Sequence, residues 1–141
     1  MKSLFMVPNL SSKSSFALLA LRLVAGLAFM LHGWPKIQNA FAWMGPEAPV
    51  PGIFQALAAF SEFFGGLAWI LGLLTPLASL GLLSTMTVAF WVHFSKGDPF
   101  VGRAGSYELA LVYLCISLIF ILIGPGNFSL DAKIFGKKTA P

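Results

Sequence analysis

The stretch EFFGGLAWILGLLTPLASLGLLSTMTVAFWVH at residues 62–93 decides the fold of this chain. Between its ends it contains no charged residue, and a single proline, Pro76, divides it into two apolar halves. A helix needs about 20 consecutive apolar residues to cross a bilayer. Because proline is tolerated in the first turn of a helix but not in its interior, the stretch predicts two membrane-spanning helices joined by a tight link at Thr75-Pro76.

The same pattern continues on both sides of this stretch. Four spans are predicted, at about residues 16–33, 53–74, 76–94 and 106–124. Charged residues make up only 10% of the chain and hydrophobic residues 57%, whereas soluble domains carry roughly 25% charge. A soluble core of this composition could not be coated with polar groups. The sequence therefore predicts an all-α integral membrane protein, a four-transmembrane-helix bundle, with one domain over residues 1–141.

Local signals predict where the spans begin and end. Ser14 or Ser15 can cap the first helix, and the run Gly33-Trp34-Pro35 is expected to end it. Ser106 is expected to cap the fourth helix. The long loop between the first two spans is rich in proline and aromatic residues, and its residues 37–43 are predicted as a short interfacial helix.

The distribution of basic residues predicts the orientation in the membrane. Four spans place both termini on one side, which carries five lysines against three cations on the other: Lys2, Lys13, Lys133, Lys137 and Lys138 against Lys36, Lys96 and Arg103. Because segments rich in Lys and Arg stay on the cytoplasmic side, both termini are expected in the cytoplasm of a bacterial cell, with the chain in its cytoplasmic membrane. The net charge of +4 is explained in this way without nucleic acid.

Charged residues inside the predicted spans indicate an interior polar site. A charge that faces hydrocarbon costs about 2.5–3.5 kcal/mol or more, so such groups usually face a partner or a cavity. Counted from the outer ends of their spans at 1.5 Å per residue, Arg22 and Glu62 lie at depths of about 16 and 14 Å. The guanidinium fork suits a carboxylate. We therefore expect a structural ion pair between Arg22 and Glu62.

Other polar side chains lie toward the outer ends of the helices, on the side away from the termini. At about 100° per residue, most share inward-facing helix surfaces with small and aromatic residues. They predict a polar pocket in the outer half of the bundle, with these candidate ligand-binding residues: His32, Lys36, Glu62, Trp69, Met86, His93 and Glu108. Structural roles are open alternatives for each of them, such as a favourable charge at a helix start for Glu108.

Three segments carry a family resemblance: LRLVAGLAFMLHGWPKI at 21–37, the stretch at 62–93, and GSYELALVYLCISLIFILIGPGNFSLDA at 105–132. In these segments the chain resembles the DoxX family of four-helix membrane proteins. The resemblance implies association with redox chemistry, since some relatives form the membrane subunit of a thiosulfate:quinone oxidoreductase and others partner sulfur-transfer or oxidative-stress enzymes. It supplies no established catalytic residue. Redox chemistry by a cysteine pair is unavailable to this chain, whose single cysteine is Cys115.

Two functions follow as hypotheses. In the first, the outer pocket binds a quinone or a similar small aromatic and serves a quinone-linked oxidoreductase, because such a ligand needs proton donors and apolar walls. In the second, the chain is a non-catalytic accessory or assembly subunit that binds partner subunits in the bilayer. Haem ligation by His32 and His93, or a metal held by these histidines with Glu62 and Glu108, is a weaker alternative. No metal is predicted, and whether the chain itself is an enzyme is left open.

Overall fold

The computed structural model describes residues 7–48, 50–103 and 105–136, and within these ranges it contains five helices and no strand. They are α1 (Ser12–Ile37), α2 (Gly52–Leu71), α3 (Thr75–Ser95), α4 (Glu108–Leu122) and the short α5 (Leu130–Phe135). In the described part of the chain, α1, α2 and α3 are long and apolar enough to cross a membrane, and α4 is a shorter apolar helix of 15 residues. The all-helical prediction is confirmed, and the architecture fits a four-helix membrane bundle.

Three of the five terminal lysines that predict the orientation, Lys2, Lys137 and Lys138, lie outside the described residues. The cytoplasmic location of the termini therefore stays a prediction.

Helix α1 is longer than predicted at both ends. Its N-cap is Ser11, whose hydroxyl accepts a hydrogen bond from Ser14 N at 3.1 Å, so the prediction of Ser14 or Ser15 as the cap is wrong. The helix also continues through Pro35, which removes one backbone hydrogen bond but has a backbone angle that suits a helix. This extra turn carries Lys36 on the same rigid element as the rest of the span.

Two other local predictions are also wrong. The N-cap of α4 is Tyr107 without a side-chain hydrogen bond, and Ser106 does not cap the helix. Residues 38–44 form consecutive turns where a short helix was expected. They belong to the outer loop (residues 38–51), which Gln55 at the start of α2 holds in place. Its side chain accepts from Met44 N at 3.0 Å and donates to Val50 O at 2.8 Å.

Glycines bring α1 and α2 into backbone contact. A Cβ atom added to Gly33 would lie 2.6 Å from Phe63 N, and one added to Gly26 would lie 2.7 Å from Gly66 O. Small residues of this kind let helices approach closely in a membrane. The contacts fix an antiparallel register in which Gly33 is level with Phe63, and Gly26 with Gly66.

The segment after α4, which we call the tail (residues 124–136), closes the end of the bundle opposite the outer loop. The carboxylate of Asp131 accepts hydrogen bonds from Leu74 N at 2.7 Å and Thr75 N at 2.8 Å, at the start of α3. Its own backbone N donates to Gly72 O at 2.8 Å. The first amides of a helix have no hydrogen-bond partner within the helix. A carboxylate at this place accepts their hydrogen bonds and interacts favourably with the positive end of the helix dipole.

The glycine register makes a stability prediction. Replacing Gly33 by alanine forces a Cβ against the backbone of α2, so we expect Gly33→Ala to lower the free energy of unfolding by about 1–3 kcal/mol. The matched control is Gly81→Ala on α3, where the new Cβ would lie 2.8 Å from Ser61 Oγ, a side-chain atom that can rotate away, and would meet no backbone atom. Unfolding in mixed detergent micelles measures both, and equal stabilities for the two variants would contradict the register.

Candidate functional site

A cavity of about 210 Å³ lies in the outer half of the bundle, toward the outer loop. Residues of α1, α2, α3 and α4 contribute to its wall, together with Ser106 just before α4. The lining residues are Phe29, His32, Lys36, Glu62, Met86, Ala89, His93, Ser106, Leu109, Ala110 and Tyr113. The rings of Phe29 and Tyr113, with centroids 4.5 Å apart, join α1 to α4 at one boundary of the cavity.

An ion pair between Lys36 and Glu62 forms the charged part of the site. Lys36 Nζ lies 2.6 Å from both carboxylate oxygens of Glu62, and the Glu62 side chain is only 3% exposed. The ammonium also lies 4.6 Å from the centroid of the Trp43 ring, a cation–π contact. Trp43 is held in turn by a hydrogen bond from its Nε1 to Gln55 O at 2.9 Å. The outer loop therefore covers the charged pair on its aqueous side.

The predicted ion pair between Arg22 and Glu62 is wrong. Arg22 is buried at the opposite end of the bundle, where its Nη2 donates to Phe128 O in the tail at 2.6 Å. The depth estimate failed because it took Gly33 as the end of α1 and ignored the register. Arg22 is level with Gly72, ten residues and about 15 Å along α2 from Glu62 at 1.5 Å per residue.

The surroundings of Arg22 indicate a structural role. Asp131 is the carboxylate that interacts with it electrostatically. Its Nε and Nη1 have no hydrogen-bond partner among the described residues. A Cβ added to Gly72 would overlap the guanidinium, and Gly72 also has a φ of +63°, so only glycine fits there. The guanidinium is packed against the α2–α3 link and the tail, away from the cavity.

A second polar pair lies at the outer end of α3. His93 Nδ1 is 2.6 Å from Asp98 Oδ2, with the two side chains 38% and 29% exposed. The helix ends with Gly97 at φ +74°, and Asp98 N donates to His93 O at 3.1 Å, a turn that brings the carboxylate back to the ring. Asp98 orients the imidazole through Nδ1, and Nε2 has no hydrogen-bond partner among the described residues. His93 is also one of the residues that line the cavity.

The structure brings together most of the sequence-derived candidates. His32, Lys36, Glu62, Met86 and His93 line the cavity, whereas Trp69 and Glu108 do not. The side chain of Trp69 is fully buried, packs edge-on against Phe29 and donates to Ser79 Oγ at 2.9 Å. Glu108 is the first residue of α4, consistent with the alternative of a favourable charge at a helix start.

Several residues of the site had little signal in the sequence. Tyr113 lies on α4, an almost uniformly apolar helix whose inward face does not stand out. That face is marked by the buried residues Ala110, Ser117 and Phe120, which lie at helical spacing with Tyr113. Asp98 could have been identified from Gly97, which comes four positions after His93 at the end of α3. A glycine at this position lets the chain turn back, and the turn brings the next residue near the histidine.

The Lys36–Glu62 pair makes a second stability prediction. Removing one partner of a buried pair leaves the other charge uncompensated, so we expect Lys36→Met to cost about 2–4 kcal/mol of unfolding free energy. The double variant Lys36→Met/Glu62→Gln should recover at least half of that loss, because no buried charge is left. Lys96→Met, at an exposed lysine after α3, is the matched control and should stay near wild type. A double variant no more stable than Lys36→Met would contradict the pair.

Comparison with known proteins places these elements in a family. The DoxX family model matches residues 17–94, which include His32, Lys36, Glu62, Met86 and His93. The chain is 34% identical over 132 residues to a Haemophilus influenzae protein named as uncharacterized, covering 92% of this chain and 98% of that protein.

Two further relatives are named as membrane proteins. Uncharacterized membrane protein Rv3486 of Mycobacterium tuberculosis is 29% identical, covering 88% of this chain and 85% of that protein. Inner membrane protein YqjF of Escherichia coli is 30% identical, covering 85% and 92%. No solved structure matches the chain significantly.

Proposed function

Because this chain belongs to the DoxX family of membrane proteins, we propose that its outer cavity is a binding site for a quinone or a similar small aromatic carbonyl compound, serving a membrane redox complex. The chain has apolar helices and bacterial relatives named as membrane proteins. In the proposed orientation both termini lie in the cytoplasm, and the cavity lies in the half of the bilayer away from it.

The observation that carries the proposal is the pairing of ring-sized space with oriented donors. A cavity of about 210 Å³ is smaller than the roughly 300–1,000 Å³ of pockets for drug-sized ligands, so its contents are limited to about one ring. Phe29, Met86 and Tyr113 supply aromatic and polarizable walls. Lys36 on α1 and His93 on α3 supply nitrogen donors from different helices.

These side chains can bind and protonate a carbonyl compound. Reduction of a quinone to a quinol takes two electrons and two protons, one proton for each carbonyl oxygen. The electrons come from a partner subunit of the complex, and this chain holds the ring and transfers protons. His93 is the proton donor, because Asp98 orients it and both side chains reach the outer surface, where water can reprotonate them. Lys36, fixed by Glu62, donates a charge-assisted hydrogen bond to the other oxygen and gives it the second proton. Its side chain is 25% exposed, so water can then reprotonate the amine.

Ring binding by the cavity is measurable in purified protein. With a water-soluble benzoquinone as the probe, we expect saturable binding by calorimetry in lipid nanodiscs. Losing one donor hydrogen bond costs about 1–1.5 kcal/mol, so His93→Leu, which has no donor, should weaken binding about tenfold. Asp98→Asn should weaken it less, about threefold, and should have no further effect in the His93→Leu background, because Asp98 acts through the histidine.

The control is Thr87→Ala, at an exposed position on α3 that does not line the cavity. It should bind like wild type, and melting curves of all variants check that the fold is retained. Wild-type protein that binds no benzoquinone, with or without an alkyl tail, or His93→Leu that binds it as well as wild type does, would contradict the proposal. That result would favour the other candidate, a non-catalytic accessory or assembly subunit in which the same residues are structural.

A further inference from the structure

The contact between α1 and α4 is the weakest between neighbouring helices of the bundle. Helix α1 packs along α2, α2 along α3 and α3 along α4, whereas α1 and α4 do not pack along their lengths. The rings of Phe29 and Tyr113 bridge them at one level. Toward the outer loop from that bridge, the two helices face each other across the cavity, which both of them line.

The edges of this gap lie on the lateral surface of the bundle. His32 on α1 and Leu109 on α4 both line the cavity, and both are exposed, Leu109 to 50%. One turn along α4, Val112 is also exposed, to 47%. In a chain that lies in a bilayer, such surfaces face lipid. We call this gap, between His32 and Leu109 and bounded by the Phe29–Tyr113 bridge, the α1–α4 seam.

The aqueous side of the site is more obstructed. The Trp43 ring covers Lys36, and hydrogen bonds to Gln55 hold Trp43 and Met44 in place. The Lys36–Glu62 pair therefore lies behind a tethered part of the outer loop. A ligand that arrives from water has to pass this loop or the His93–Asp98 pair, whereas a ligand dissolved in the bilayer meets the seam directly.

These observations, together with the proposed function on which this step rests, define the class of ligand. We propose that the ligand is a membrane-dissolved amphiphile, with an aromatic carbonyl ring and an alkyl or isoprenoid tail. Its ring occupies the cavity, and its tail leaves through the α1–α4 seam into the bilayer. The cavity has no room for the tail, and the tail has no need of a pocket, because it stays in hydrocarbon throughout and is never transferred into water.

The test compares two ligands that share one ring, one without a tail and one with a short isoprenoid tail. Leu109→Trp fills the seam, and Val112→Trp places the same bulk one turn away, at an exposed position that does not line the cavity. Overpacking that costs about 1–3 kcal/mol weakens binding about fivefold to a hundredfold. We expect Leu109→Trp to weaken the tailed ligand by at least about tenfold more than the tail-less ring, and Val112→Trp to weaken neither.

A second measurement maps the tail without relying on a variant. A tailed ligand that carries a photoreactive diazirine in its tail is cross-linked to wild-type protein in nanodiscs, with and without excess tail-less ring. Labelling that the ring suppresses should fall on α1 and α4, near His32 and Leu109. Suppressible labelling on the outer loop, or on the lipid faces of α2 and α3, overturns the seam as the exit.

The outcomes separate this inference from the proposed function. If the tail-less ring binds wild type, but Leu109→Trp weakens both ligands equally and no suppressible label falls on α1 or α4, the cavity binds a ring and the seam is not its portal. If wild type binds neither ligand, the proposed function itself fails, and the tailed ligand fails with it.

Discussion

Backbone contact between α1 and α2, permitted by glycine, fixes the positions of Arg22, Lys36 and Glu62 relative to one another. With Gly33 against Phe63 and Gly26 against Gly66, the two helices have only one register. That register places Lys36 within reach of Glu62 at one end and Arg22 beside Gly72 at the other. A shift of one turn, about 5.4 Å, would separate Lys36 from its carboxylate. In an apolar medium an uncompensated charge is costly, so the packing of small residues and the placement of the charges support each other.

The two ends of the bundle use their polar groups differently. At the tail end, Arg22 and Asp131 are buried and tied to backbone groups that hold α1, α3 and the tail together. At the outer end, Lys36, Glu62 and His93 surround a space, and their partners are other side chains. The polar groups at the tail end are used for structural contacts. Those at the outer end are oriented but still face a cavity, which is the condition for acting on a ligand.

Composition and hydropathy were enough to predict α1 to α4, because the need to satisfy backbone groups in lipid leaves few alternatives. They did not predict the short α5. Residue type and helical phase were enough to identify five of the residues that line the cavity, including Glu62 and His93. Counting residues from the end of each span could not identify the partner of Glu62. That partner depends on the extension of α1 by four residues past Gly33 and on a register that glycines set. Asp98 and Tyr113 depend on a turn and on the rotation of a uniformly apolar helix, which no single-sequence pattern fixes.

The tail is synthesised after the helices whose polar groups it binds. Arg22 and the first amides of α3 find their partners in Phe128 and Asp131, which are translated some fifty to a hundred residues later. Until those residues leave the ribosome, a buried guanidinium and an uncapped helix start have to be accommodated by water, lipid head groups or the insertion machinery. Helices α1 to α3 can enter the bilayer early, but their final arrangement is completed only by contacts with the C-terminal tail. A chain that ended before the tail would leave Arg22 without its Phe128 partner and the start of α3 without the Asp131 carboxylate.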